Sequence, residues 1–89
     1  MTTAVEVHIT GRVQGVGFRW STAQQAQQVG VTGWVRNQPD GSVAAWFEGD
    51  EDPVDQMVDW CQQGPRWAGV DQVIATHVSA KGYGSFEVR

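Results

Sequence analysis

The residues best suited to chemistry in this chain lie together in Gly11-Arg-Val-Gln-Gly-Val-Gly-Phe-Arg-Trp20. Two glycines two apart, Gly15 and Gly17, admit backbone angles closed to other residues, so successive N–H groups can converge into a concave nest for an anion. A helix that follows adds its own unpaired N–H groups and the positive end of its dipole. Arg19 then falls in the first helical turn, where a cation is disfavoured by about 0.3–1 kcal/mol at an exposed site. That placement makes sense with an anion between the nest and the guanidinium, whose planar fork suits phosphate or carboxylate oxygens. Taken by itself, a strand–turn–helix with two glycines is also a common structural device. The spacing rejects nucleotide motifs: the third glycine of G-x-G-x-x-G would fall on Trp20, and no G-x-x-x-x-G-K-[ST] occurs.

The remaining catalytic inventory is short. His8 and His77 are isolated from each other and from other candidate ligands, and read as structural or surface residues. Cys61 falls on an apolar stripe and reads as core. Ser21 and Thr22 have no base nearby in sequence, so a nucleophilic triad is unsupported. The acidic residues sit in the other half of the chain, and a single cysteine excludes both an internal disulfide and a multi-cysteine metal site. A metal-free site with no evident general base remains. It could hydrolyse only an already activated bond, by placing water and stabilising charge. Asn37 is the candidate to place that water, because its amide both donates and accepts hydrogen bonds; an Asn there also simply suits the turn that follows.

Five strands and two helices must position these groups. Val5, Val7, Ile9 and Val13 alternate with polar residues over 4–13, a half-buried strand broken by Gly15 and Gly17. From Phe18 to Val29 the run is rich in Gln and Ala, with Ala23, Ala26 and Val29 three apart, and Gly30 ends it as a helix. Val31 to Arg36 and Val43 to Glu48 flank Pro39-Asp40-Gly41-Ser42, a strong turn signal, and so form a hairpin. Asp52 is placed to cap a second helix, with Pro53 at its first position and Asp55 in its first turn. Val54, Met57, Val58 and Cys61 give that helix its core-facing stripe, and Gly64-Pro65 stop it. Val70 to Ala80 and a short Ser85 to Arg89 are the closing strands. The order β-α-β-β-α-β predicts an α+β, ferredoxin-like split βαβ fold: an antiparallel sheet of order 4-1-3-2 with two helices on one face.

Composition bounds the rest. With 89 residues and 9.8 kDa, folding hides about 64% of the unfolded surface, enough for one modest core and a single domain over 1–89. The formal net charge is −4, against a protein whose affinity comes from neutralising nucleic-acid phosphates. That charge is segregated: residues 1–37 carry Arg12, Arg19 and Arg36 against Glu6 alone, while six acids fall between Glu48 and Asp59. The pattern predicts one cationic site for a small anion on an otherwise acidic, solvated surface. No signal peptide and no run of ~20 apolar residues is visible. A soluble, cytoplasmic monomer without membrane partners is expected.

Gly11-Arg-Val-Gln-Gly-Val-Gly-Phe-Arg19, with Gly33-Trp-Val-Arg-Asn37, Asp40-Gly-Ser-Val43 and the Phe86-Glu-Val-Arg ending, closely resembles acylphosphatase. The resemblance runs from Val5 to Arg89. It departs mildly at Arg66-Trp67-Ala68, after Gly64-Pro65. It implies hydrolysis of the carboxyl–phosphate bond of acyl phosphates to a carboxylate and inorganic phosphate, with no metal or other cofactor. It also implies roles: Gln14, Gly15, Val16, Gly17, Phe18 and Arg19 as the phosphate cradle, Arg19 neutralising transition-state charge, and Asn37 holding the attacking water. The substrate's own phosphate would take the water's proton, and inorganic phosphate would compete with substrate. The alternatives are a ferredoxin-like nucleic-acid-binding module, with Trp34, Trp46 and Phe47 stacking bases, or an accessory module of a larger carbamoyl-transferring enzyme. The core and the hairpin are the expected places for most of the five Trp.

Overall fold

Val5, Val7 and Ile9 are buried along one face of the first strand, β1 (Thr2–Arg12), as their period of two requires. A computed structural model describes residues 2–89. After β1 come α1 (Phe18–Val29), β2 (Thr32–Asn37), β3 (Val43–Asp50), α2 (Glu51–Cys61), β4 (Gly69–Val78) and β5 (Phe86–Val88). The strands form one sheet of order β4-β1-β3-β2-β5. The first four strands pair antiparallel, in the order expected of the ferredoxin-like fold. The interior strand β1 sets Ala4 opposite Val78 on one side and opposite Glu48 on the other.

The sheet departs from the expectation at its edge. β5 runs parallel to β2, with Gly33 opposite Phe86 and Val35 opposite Val88, so the whole sheet is mixed. The reason is directional. β4 runs opposite to β2, so a chain that reverses once after β4 can lie beside β2 only in the parallel sense. β5 thereby covers the N–H and C=O groups that β2 would otherwise leave open. Bonds from Gly33 N–H to the Ser85 carbonyl (3.0 Å) and from Arg89 N–H to the Val35 carbonyl (2.8 Å) fix it there.

Both helices pack on the face that carries Val5, Val7, Ile9, Val35, Ala45 and Phe47, adding Phe18, Ala26, Val54, Met57 and Cys61 to a single core. The α1 boundaries are those its sequence predicts, with Gly30 closing it at φ 82°. α2 starts earlier than expected. Asp50 rather than Asp52 is the N-cap, and Glu51 and Asp52 are the acids of the first turn. Pro53 is therefore the third helical residue, still among the four positions whose N–H has no partner within the helix. Cys61 is fully buried, and burial pushes its thiol up to about 12, consistent with a core residue. Among the described residues, no helix is long and apolar enough to cross a membrane.

The opposite face carries a smaller cluster of Ala4, Trp34, Ala44 and Trp46, with Val78 and Tyr83 packed onto it. Trp34 and Trp46 face each other in the hairpin register and stack at 6.4 Å between centroids, each only 5% exposed. Phe47 is fully buried and stacks on Phe86. The rings that a base-stacking reading would need are thus taken up by packing. Glu48 overturns part of the expected solvated acidic stretch. It is 4% exposed, while Asp50, Glu51, Asp52, Asp55 and Asp59 are exposed as expected. The β3 alternation carries Glu48 on the same side as Trp46, under the segment at residues 81–83, whose N–H groups bind it.

Candidate active site

Past β1 the chain runs through buried Val13 to Gly15 and Gly17, at φ 73° and 77°. These are left-handed values that an L side chain resists, which is why glycine stands at both. Gly17 is the N-cap of α1, so no side chain caps the helix, and its first turn holds no acid. The first main-chain bond of the helix is Ser21 N–H to the Gly17 carbonyl, at 3.0 Å. The N–H groups before it have no acceptor within the helix. The helix start is nevertheless held firmly. Buried Phe18 packs against Trp60 at 5.6 Å, and the Thr22 hydroxyl donates to the Phe18 carbonyl at 2.7 Å.

Arg19, one residue into α1, is exposed, and its Nη1 donates to the main-chain oxygen of Arg89 at 3.1 Å. Asn37 is half-buried as the last residue of β2, and among the described residues its side-chain amide makes no hydrogen bond. The two belong to adjacent parts of one construction. β5 lies beside β2, so the residue that follows β5 comes within reach of the start of α1. A cleft of about 240 Å³ results. Gly15, Gly17, Arg19 and Asn37 line it with polar groups, and Val13, Phe18, Trp20 and Val88 with apolar ones.

Most residues expected at the site therefore meet there. Two of the expected cradle do not line the cleft. Val16 packs against the core, and Gln14 turns its amide to the hairpin, where Nε2 donates to the carbonyls of Gln38 (2.7 Å) and Ser42 (2.8 Å). His8 stays outside the cleft, as its isolation in the sequence implies. Its Nε2 lies 2.7 Å from the Ser42 hydroxyl, which donates to Asp40 at 2.6 Å. This bond to Ser42 holds the Asp40 carboxyl below its usual range. Four contributors were not foreseen: Val13, Trp20 (67% exposed), Val88 (51% exposed) and the Arg89 main chain. Phe86 and Val88 alternate, which marks a strand, but nothing local says that this strand joins the edge nearest the glycine loop.

The arrangement can hold a tetrahedral dianion between main-chain N–H groups and one guanidinium, with a neutral amide to one side. Among the described residues, no Asp, Glu or His side chain lines the cleft, so none is placed there to act as general base.

Comparison with known proteins points the same way. The chain matches the family model described as Acylphosphatase over residues 5–88. It is 54% identical to an acylphosphatase of Trichormus variabilis, over 96% of this chain and 84% of that protein. It is 52% identical to an acylphosphatase of a Nocardioides species, over 100% of this chain and 90% of that one. The solved acylphosphatase from Coxiella burnetii superposes with a TM-score of 0.96 at 34% identity, covering 99% of this chain and 93% of the other.

Proposed function

The chain belongs to the acylphosphatase family, and from that premise we propose that the cleft between the glycine loop and Asn37 is where its reaction takes place. The reaction is hydrolysis of the carboxyl–phosphate bond of an acyl phosphate. The phosphoryl oxygens rest against the N–H groups of Gly15 to Arg19. The Arg19 guanidinium, steadied by the Arg89 main chain, neutralises the charge that grows on them. Asn37 accepts a hydrogen bond from a water molecule and turns its lone pair toward phosphorus. The water oxygen bonds to phosphorus as the bond to the acyl oxygen breaks, and the leaving group departs as a carboxylate. Its conjugate acid has a pKa of about 4, so no general acid is required. The water's proton passes to a phosphoryl oxygen, giving dihydrogen phosphate. No metal enters this scheme.

The observation that carries the reading is the meeting of Arg19 and Asn37, from different elements, around one cleft with Gly15 and Gly17. The test is turnover of benzoyl phosphate by the purified protein beside Arg19→Ala and Asn37→Ala. Each variant is expected to fold normally and to lose roughly 10²–10³-fold in rate, the usual loss for one transition-state donor. Wild-type turnover in either variant defeats the assignment. Inorganic phosphate is expected to inhibit competitively, and less strongly in Arg19→Ala. With this activity goes a single domain working as a cytoplasmic monomer, which gel filtration tests for its oligomeric part.

A further inference from the structure

We propose that Gln14 is a positioning residue, which sets the water-holding Asn37 against the glycine loop without touching the phosphate. The inference rests on the roles given above to Asn37 and to the loop. Gln14 directly precedes Gly15, and Gln38 directly follows Asn37. One amide nitrogen joins the two: Gln14 Nε2 donates to the Gln38 carbonyl at 2.7 Å and to the Ser42 carbonyl at 2.8 Å. Both protons of the amide are used.

The acceptors explain why this bond can set a position without building the turn. The hairpin already closes on itself. Gln38 N–H donates to the Ser42 carbonyl at 2.8 Å and Gly41 N–H to the Gln38 carbonyl at 3.1 Å. Gln14 takes the second lone pair of each carbonyl. Ser42 is also held from behind, its N–H and hydroxyl both on Asp40 and its hydroxyl at His8 Nε2. The loop, for its part, is anchored by buried Val13 before it and buried Phe18 after it. A hairpin held by its own bonds and a loop held by packing at both ends are thus registered by one half-buried side chain. Catalysis by positioning is sensitive to such a registration, since an error of about 1 Å can lower a rate 10²-fold.

Gln14→Met, which keeps the length and removes both donors, tests this with benzoyl phosphate and inorganic phosphate as probes. The expected result is a kcat about 10- to 100-fold lower, with KM and the inhibition constant for phosphate moving less than about threefold. In an Asn37→Ala background, where no water is held, the same substitution should change kcat by less than about threefold. An equal loss in both backgrounds overturns the proposal, and so does a loss confined to KM and phosphate affinity, which would put Gln14 in the cradle. Gln14→Asn, whose amide is one methylene short, should fall between Met and wild type in kcat. If Met and Asn both fail to fold, the side chain is a general requirement of the fold and the positioning role is wrong. Failure of the underlying reading looks different: Asn37→Ala would itself keep wild-type turnover.

Discussion

Glu48 carries a negative charge out of water and into a ring of donors. Its Oε1 accepts from Lys81 N–H at 2.8 Å and from the Trp46 indole at 3.1 Å, and its Oε2 accepts from Gly82 N–H at 2.7 Å. Burial pushes the carboxyl upward, but these bonds together outweigh it, and it titrates below its ordinary value of 4.5. Above that value the carboxyl is ionised folded or unfolded, and its contribution to stability is complete. As pH falls below it, the unfolded chain takes up the proton first, and the contribution is gone once pH passes the folded value. Glu48→Gln should therefore lower stability at pH 7 by about 1–3 kcal/mol, because an amide cannot accept all these bonds. Urea midpoints measured from pH 7 to pH 3 should show the gap from wild type shrinking with acid. In the sequence Glu48 stands first in an acid-rich run, and its main-chain donors at Lys81 and Gly82 lie more than 30 residues away, so no local pattern marks it as buried. Arg19 and Asn37 were legible because each stands at the end of a pattern, the two-glycine loop and the strand before a turn.

Patterns that end within one segment were legible, and the β-α-β-β-α-β order was enough to give the pairing of the first four strands; the docking of the fifth was not legible. α1 lies where its alanine spacing and Gly30 put it, and the hairpin where Pro39 to Ser42 put it. The parallel docking of β5 had no local signal, although it supplies Val88 to the cleft and the Arg89 oxygen to Arg19. The pairing of β2 with β3 makes a demand of its own. Gly33 there has φ 136°, and a Cβ on it would lie 1.8 Å from the Trp46 carbonyl oxygen. The neighbour is main chain of the central strand β3 and cannot step aside. Gly33→Ala should cost about 4 kcal/mol or more, at the top of the range for single substitutions. Urea unfolding followed by tryptophan fluorescence measures it, since Trp34 and Trp46 pack beside the affected strand pair. A midpoint within error of wild type would mean that the strands can separate there cheaply.

For the molecule as a whole, the net charge of −4 describes the surface and not the site. Among the described residues, the cleft is lined by Arg19 and by no acidic side chain, and the exposed acids of α2 belong to another part of the fold. Those acids converge on no ion: among the described residues, no group of three or more His, Cys, Asp or Glu is placed to hold a metal. EDTA should accordingly leave benzoyl phosphate hydrolysis unchanged, and a loss reversed by a divalent cation would return the acidic helix to the mechanism. The place of β1 between β4 and β3 has a different consequence, in time. Ala4 finds Val78 and Val5 finds Phe47, so the strand that leads the chain gains its partners only after most of the chain has been gathered in. The entropy of closing such loops is lost before any pairing returns it, and chains built this way fold in milliseconds to seconds, where small helical bundles take microseconds to milliseconds. β5 follows β4 in the chain and closes the other end of the same sheet, and only with it in place does the Arg89 oxygen reach Arg19. Activity should therefore return in a refolding experiment no sooner than the slowest change in tryptophan fluorescence.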